Sequence, residues 1–285
     1  MNKAKAWFIA ARPFAIPYWV TNVALGVALA GWNLNAFIVA ASIVTLIGLS
    51  AHFTNNWRDY VKGVDTLEDG SKPKAYTPAS QLLPRGILTV KDMKIATVFC
   101  LLIAFLLAGI YLRRLDQIII FLIGVFAAVA YTDLLKPKGF GEVAMFIGFA
   151  MSSAFGYTMI KPFDYTAFAT VVVTGMIPTI AYTIDQLPDV ETDLARRIKN
   201  LSYYVFKANI SISSILWFAV TATFTLIVGF IVVGWLPQEM LIMAATLPLW
   251  HISGIIVDND LEKGIVLALV AYFLYLLLPT VFLLL

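Results

Sequence analysis

The chain has 285 residues, of which 61% are hydrophobic and 13% charged, with a formal net charge of +3 and a mean hydropathy of +0.87. Soluble domains have about 45–50% apolar and about 25% charged residues. The composition therefore excludes an ordinary soluble domain and predicts an all-α integral membrane protein. Cys100 is the only cysteine, which excludes a disulfide framework and a cysteine-based metal site.

Nine apolar runs are each about as long as the roughly 20 residues that a helix needs to cross the hydrocarbon core. They predict nine transmembrane helices in a single domain, 1–285. The runs lie near 14–31, 35–53, 94–112, 116–132, 141–160, 165–183, 210–233, 237–257 and 264–285.

Lys and Arg are distributed unevenly between the two sides. If the first span starts in the cytoplasm, Arg113, Arg114 and Lys161 are the only Lys or Arg residues on the outer side. The positive-inside rule then predicts a protein of the cell membrane with a cytoplasmic N-terminus and an external C-terminus. Topology and anionic membrane lipid explain this basic inner face, so we expect no nucleic-acid partner.

Charged residues concentrate in cap regions at about 54–93, 133–140 and 184–209, all on the predicted inner side. The second long region contains DQLPDVETDLARRIK, in which Asp185, Asp189 and Asp193 recur every four residues. On a helix these carboxylates share one face, about 6 Å apart along the axis. Bound cations would offset their mutual repulsion, and Mg²⁺ prefers one or two carboxylates together with substrate phosphates.

The first long region begins with NNWRDYVKGVDT and has a related pattern. Asn55 and Asp59 are four residues apart and share a helix face, whereas Asp65 would point away on a continuous helix. A break at Gly63 would return Asp65 towards Asp59 and form a second acidic pocket. Charged residues at helix ends are usually solvated, but two clusters with matched spacing on one side favour a binding site.

Basic residues accompany both acidic clusters on the same membrane side. Metals held by the carboxylates would bind a polyanion, and Lys and Arg would bind its remaining oxygens. The candidate cations are Arg58, Lys62, Arg85, Lys136, Lys138, Arg196 and Lys199.

The two clusters resemble the Asp-rich motifs of the UbiA superfamily of intramembrane prenyltransferases, and the second includes a lysine six residues after its last aspartate. The wording DYVKGVDT most resembles the 1,4-dihydroxy-2-naphthoate polyprenyltransferase branch. ARPFAIPYWVTNVALG, LLPRGILT and YTDLLKPKGFGE also resemble family segments, so the likeness covers about residues 11 to 205. The sequence departs from the family pattern at Asn56, Gln81 and Arg197.

The resemblance implies nine helices around a central cavity, with cytoplasmic cap helices and a Mg²⁺-dependent reaction. A polyprenyl diphosphate would be the donor, and an aromatic quinone precursor of the menaquinone type would be the acceptor. By position, Asn55, Asp59 and Asp65 would hold one Mg²⁺, and Asp189 and Asp193 the other.

Further roles follow from the same resemblance. Lys199 would bind diphosphate, and Asp185 would either hold metal or accept a proton from the acceptor. Asn22 and Tyr131 are predicted to contact substrate because they lie in the matched segments.

Three alternatives remain open. A terpene cyclase of the same superfamily would capture the cation with its own double bonds, and a lipid prenyltransferase would use a glyceryl phosphate acceptor. A divalent cation transporter could also use intramembrane carboxylates. The acidic residues cluster on one side and none lies at mid-membrane in the predicted spans, which argues against an ion path.

Overall fold

Helices form all the regular secondary structure in the residues that the computed structural model describes, which are 2–65, 78–186, 190, 194 and 199–285. We number the α-helices along this described part of the chain. They are α1 Lys3–Ala11, α2 Ile16–Ala30, α3 Leu34–Val61, α4 Val90–Tyr111, α5 Leu115–Ala130, α6 Gly141–Thr158, α7 Tyr165–Asp185, α8 Leu201–Lys207, α9 Ile212–Val232, α10 Leu247–Val257 and α11 Leu261–Phe282.

Polar caps set the starts of several long helices. Asn33 accepts a hydrogen bond from Ala36 N at 2.9 Å and begins α3. Thr89 and Asp92 form a reciprocal capping box at the start of α4. These side chains bind backbone N–H groups that the first helical turn leaves without partners. The caps therefore place the helix boundaries where the apolar runs meet polar sequence.

Eight helical segments in the described part of the chain are long and apolar enough to cross a membrane. The protein is therefore an all-α, multi-pass membrane protein. The fifth predicted span is α6, which is not among the eight. Neighbouring helices surround much of it and bury every residue from Ser152 to Thr158, so this helix can contain polar residues that a lipid-facing helix could not.

Two predicted spans have a different internal structure from the one expected. A separate helix, α1, precedes the first span because the chain breaks at Arg12, which has φ +49°, and Pro13 follows. The eighth span begins with a 3₁₀ segment, Gln238–Thr246, before α10. The break at Arg12 places α1 against α3 and the Pro78–Gln81 turn.

Close packing of α2 against α6 holds the centre of the bundle together. A Cβ on Gly26 would lie 2.0 Å from the carbonyl oxygen of Ser153, and one on Gly156 would lie 2.3 Å from that of Val23. The absence of side chains at these two glycines lets the backbones touch, as is common for membrane helices.

The other helices extend from this pair. Helix α2 also packs on α3 and α11, α6 also packs on α5 and α7, and α7 packs on α9. This arrangement brings the ends of α3, α5 and α7 to one end of the bundle.

The segment after α5 continues as a π-helical turn, Tyr131–Leu135, and a short 3₁₀ turn, Lys136–Lys138. π-Helical turns are rare and occur often at functional sites. The ends of α3 and α7, this segment and the start of α8 all lie at the same end of the bundle. We call it the motif end.

Candidate active site

The last turn of α3 carries the first acidic cluster and closes at Gly63, as predicted. Gly63 has φ +68°, and the N–H groups of Val64 and Asp65 donate to the carbonyl oxygen of Asp59 at 2.8 and 3.4 Å. A left-handed glycine after a helix allows this return of the chain. The backbone of Asp65 thus lies against the turn that carries Asp59, while its role in metal binding stays a prediction.

Asp59 is buried, with 7% of its surface exposed. The Asn55 side chain lies beside its carboxylate, and Lys136, Arg12 and Lys62 supply positive charge nearby. A buried carboxylate needs such partners because removal from water disfavours its charge. The predicted pair of Asn55 and Asp59 is therefore in contact, surrounded by positive charge.

The Tyr131–Lys138 segment contacts the same face of α3. The Thr132 hydroxyl donates to the Asn55 amide oxygen at 3.1 Å, and Lys62 Nζ donates to the Thr132 carbonyl oxygen at 2.9 Å. Asp133 forms ion pairs with Arg58 and with Lys62, the latter at 2.8 Å. Two regions that are about 70 residues apart in the chain therefore form one polar surface.

The end of α7 joins this surface through two tyrosines. The hydroxyl oxygens of Tyr131 and Tyr182 are hydrogen bonded at 2.6 Å. Tyr182 also packs on Gly141, where an added Cβ would lie 2.8 Å from its hydroxyl oxygen. Asp185 is the last residue of α7, three positions after Tyr182. The start of the second acidic cluster is thus placed beside the Tyr131–Lys138 segment.

Lys199 lies where the chain enters α8, and its position is set by the start of α6. Its carbonyl oxygen would lie 2.4 Å from a Cβ on Gly139, which has φ +80°. Leu201 N donates to Glu142 Oε1 at 3.0 Å, and Asn200 caps α8. The Lys199 side chain is exposed, with Nζ 5.6 Å from the centre of the Tyr203 ring.

The remaining predicted residues lie in different surroundings. Arg85 and Lys138 are exposed, so their side chains are accessible for binding. Asn22 is fully buried, and its amide nitrogen donates to the Tyr18 carbonyl oxygen at 2.8 Å and to the Tyr272 hydroxyl at 3.0 Å. Its predicted contact with substrate would require these bonds to rearrange. Asp189, Asp193 and Arg196 lie outside the described residues.

The contacts of Asn56 explain why the sequence departs from the family pattern at this position. Its amide oxygen accepts from Arg12 Nη2 at 3.1 Å, and its amide nitrogen donates to the Ala10 carbonyl oxygen at 3.3 Å. A carboxylate could not donate that second hydrogen bond. Asn56 therefore fastens α3 to α1, and it is Asn55 that contacts Asp59.

Sequence reasoning missed the roles of three residues at the motif end. Asp133 and Thr132 contact the first cluster, and Glu142 holds the entry to α8. Asp133 lies in YTDLLKPKGFGE, a segment that resembles the family as a whole, and an acidic residue three positions before Lys136 is the available signal. The pairing itself depends on tertiary contact.

The chemistry of the oxygen donors suits a hard cation. Asn55 and Asp59 supply an amide and a carboxylate oxygen, the ligand types that Mg²⁺ prefers. Within the described ranges, no three His, Cys, Asp or Glu residues form a complete metal cluster, and the second pair of predicted ligands falls outside those ranges. These two residues therefore fit a partial metal site that substrate oxygens would complete.

A family model covers most of the chain. The model described as the UbiA prenyltransferase family matches residues 15–277. A relative from Mycobacterium leprae, named 1,4-dihydroxy-2-naphthoate octaprenyltransferase, is 28% identical over 201 residues, which are 66% of this chain and 65% of that protein. The matched stretch thus spans less than two thirds of the relative's length.

Two solved structures share the fold. A UbiA homologue from Aeropyrum pernix K1 has a TM-score of 0.73 at 11% identity and covers 92% of this chain and 95% of its own. A UbiA homologue from Archaeoglobus fulgidus, solved with GPP and Mg²⁺, has a TM-score of 0.67 at 13% identity and covers 97% and 99%.

Proposed function

The chain belongs to the UbiA prenyltransferase family, and we propose that it catalyses Mg²⁺-dependent transfer of a polyprenyl group to an aromatic quinone precursor. The donor is a polyprenyl diphosphate, and the reaction takes place within the membrane. The N-terminus is cytoplasmic, as the distribution of Lys and Arg favours.

The observation that carries this proposal is the polar surface at the motif end. Asn55 and Asp59 on α3 contact or face Thr132, Lys62 and Lys136, all at the end of an otherwise apolar bundle. Carboxylates and cations so combined suit a diphosphate bridged by metal. A hydrocarbon chain would lie among the apolar helices.

Asn55, Asp59 and Asp65 would hold one Mg²⁺, and Asp189 and Asp193 the second. When bound, Mg²⁺ neutralises diphosphate charge and so stabilises the leaving group. Arg58, Lys62, Lys136 and Lys199 bind the remaining phosphate oxygens, with Lys199 strengthening its contact as negative charge develops.

In the transfer, the bond between C1 of the prenyl chain and the diphosphate oxygen breaks, and its electron pair leaves with diphosphate. A ring carbon of the acceptor then bonds to C1 and gives up its proton to a base. Asp185 at the end of α7 is our candidate for that base. The bundle excludes water, which would otherwise capture the allylic cation.

The aromatic acceptor is supported by the Mycobacterium leprae relative, which is named for a naphthoate substrate. The Archaeoglobus fulgidus homologue was solved with GPP and Mg²⁺, which supports the donor class and the metal. The experiment must distinguish prenyl transfer to an aromatic acceptor from three alternatives, which are a cyclase, a glyceryl phosphate prenyltransferase and a cation transporter.

The test is incubation of purified protein with Mg²⁺ and radiolabelled geranylgeranyl diphosphate. Parallel reactions contain 1,4-dihydroxy-2-naphthoate, a glyceryl phosphate or no acceptor. We expect a prenylated aromatic product only with the naphthoate. Labelled hydrocarbon without acceptor would indicate a cyclase, and a labelled glycerolipid would indicate the lipid enzyme. Intact donor in all three reactions would contradict prenyl transfer.

A further inference from the structure

Asp133 is an acidic residue at the centre of a surface that we propose binds an anion. It extends from the π-helical turn and forms ion pairs with both Arg58 and Lys62. Arg58 on α3 and Lys62, which caps its C-terminal end, lie three and seven residues after Asn55 and therefore on the face that carries Asn55 and Asp59. Asp133 thus partly neutralises two of the cations that we propose bind diphosphate.

The two cations have anchors besides Asp133. The Arg58 guanidinium lies over the Trp57 ring, 4.3 Å from its centre, and Lys62 Nζ donates to the Thr132 carbonyl oxygen at 2.9 Å. Among the described residues, Arg58 Nε is buried without a hydrogen-bond partner. Both side chains would therefore keep their places if Asp133 lost its charge.

The three side chains are also accessible enough to exchange partners. Arg58, Lys62 and Asp133 are 36, 39 and 30% exposed in their side chains. Ion pairs of this exposure contribute only about 0–1 kcal/mol. A diphosphate with bound metal can therefore displace or share the carboxylate, although a nearby like charge opposes its binding.

We propose that Asp133 lowers the affinity of the site for diphosphate by competing for Arg58 and Lys62. It is a residue that tunes donor binding and product release, and it makes no contact with the reacting carbon. Asp133 has this role in catalysis only if the chain uses a prenyl diphosphate donor as proposed above. Its effect on inorganic diphosphate, which is the leaving group, can be measured separately.

The first experiment measures binding of inorganic diphosphate with Mg²⁺ to the purified protein by calorimetry. We expect Asp133→Asn and Asp133→Ala to bind about tenfold more tightly, as expected for removing one nearby charge at a partly exposed site. Asp133→Glu keeps the charge and should bind like the unaltered protein. Glu262→Gln is the control, because it removes one charge from an exposed position at the start of α11.

A double-mutant cycle locates the effect. In a protein carrying Arg58→Ala and Lys62→Ala, we expect Asp133→Asn to change diphosphate affinity by less than about twofold, since the contested cations are gone. Weaker binding in both neutral variants would overturn the proposal and make Asp133 a positioning residue, and unchanged binding would also overturn it. An equal gain in the background without the cations, or in Glu262→Gln, would also overturn it.

Turnover separates this proposal from the proposed function. With geranylgeranyl diphosphate and the naphthoate, we expect Asp133→Asn to lower the donor KM about tenfold without raising kcat. If the unaltered protein binds diphosphate but forms no product, prenyl transfer fails while the assignment of Asp133 to an anion site stands. If it binds no diphosphate, both fail.

Discussion

Gly139→Ala tests whether the turn between Lys138 and α6 positions Lys199. The new Cβ would lie 2.4 Å from the Lys199 carbonyl oxygen, whereas ordinary contact begins at 3.4 Å, so the two segments must separate by about 1 Å. Gly139 also has φ +80°, where a residue with a side chain loses roughly 1–2 kcal/mol. We therefore expect both lower stability and a displaced Lys199.

The displacement of Lys199 is expected to lower the rate of catalysis. A displacement of about 1 Å at a catalytic group can reduce rate by about a hundredfold. We expect turnover at saturating donor, per folded protein, to fall between about tenfold and a hundredfold. The assay is product formation from labelled geranylgeranyl diphosphate, with thermal unfolding measured on the same preparations.

Gly234→Ala is the matched control. Gly234 has φ +76°, but no atom lies within 4 Å of its added Cβ, and it belongs to the turn between α9 and the Gln238–Thr246 segment. It should lose a similar amount of stability from strain and keep turnover within about twofold. Normal turnover in Gly139→Ala, or equal losses of turnover in both variants, would refute the link between Gly139 and Lys199.

Four further outcomes are expected. EDTA should abolish binding of the diphosphate donor and Mg²⁺ should restore it, because carboxylates alone repel the donor; tight binding in EDTA would contradict the metal site. Lys199→Ala should lower turnover about a hundredfold through loss of roughly 3 kcal/mol of leaving-group stabilisation, while Arg197→Ala changes the rate little, and steady-state assays compare them. Asp185→Asn should lose turnover but keep donor affinity if Asp185 is the base, so a matching loss of affinity in binding assays would exclude that role. Gly156→Ala should lower the thermal unfolding temperature clearly, since its Cβ would lie 2.3 Å from the Val23 carbonyl oxygen; an unchanged temperature would mean that α2 and α6 separate easily.

The membrane class and the chain's main helices follow from composition and apolar runs, since a chain of this hydropathy must cross the bilayer as helices. The break at Gly63 was also predictable, because glycine takes the left-handed conformation at a helix end. The family motifs predicted Asn55 and Asp59 as site residues. Their proximity follows from four-residue spacing on a helix.

Sequence could not supply the contacts between distant segments. The pairing of Asp133 with Arg58 and Lys62, and that of Tyr131 with Tyr182, depends on how α3, α5 and α7 pack. The packing of α1 against α3 and the burial of the polar residues of α6 have the same origin. The periodicity of apolar residues shows which face of a helix is apolar. Which neighbouring helix covers that face depends on close backbone approach, as at Gly26 and Gly156.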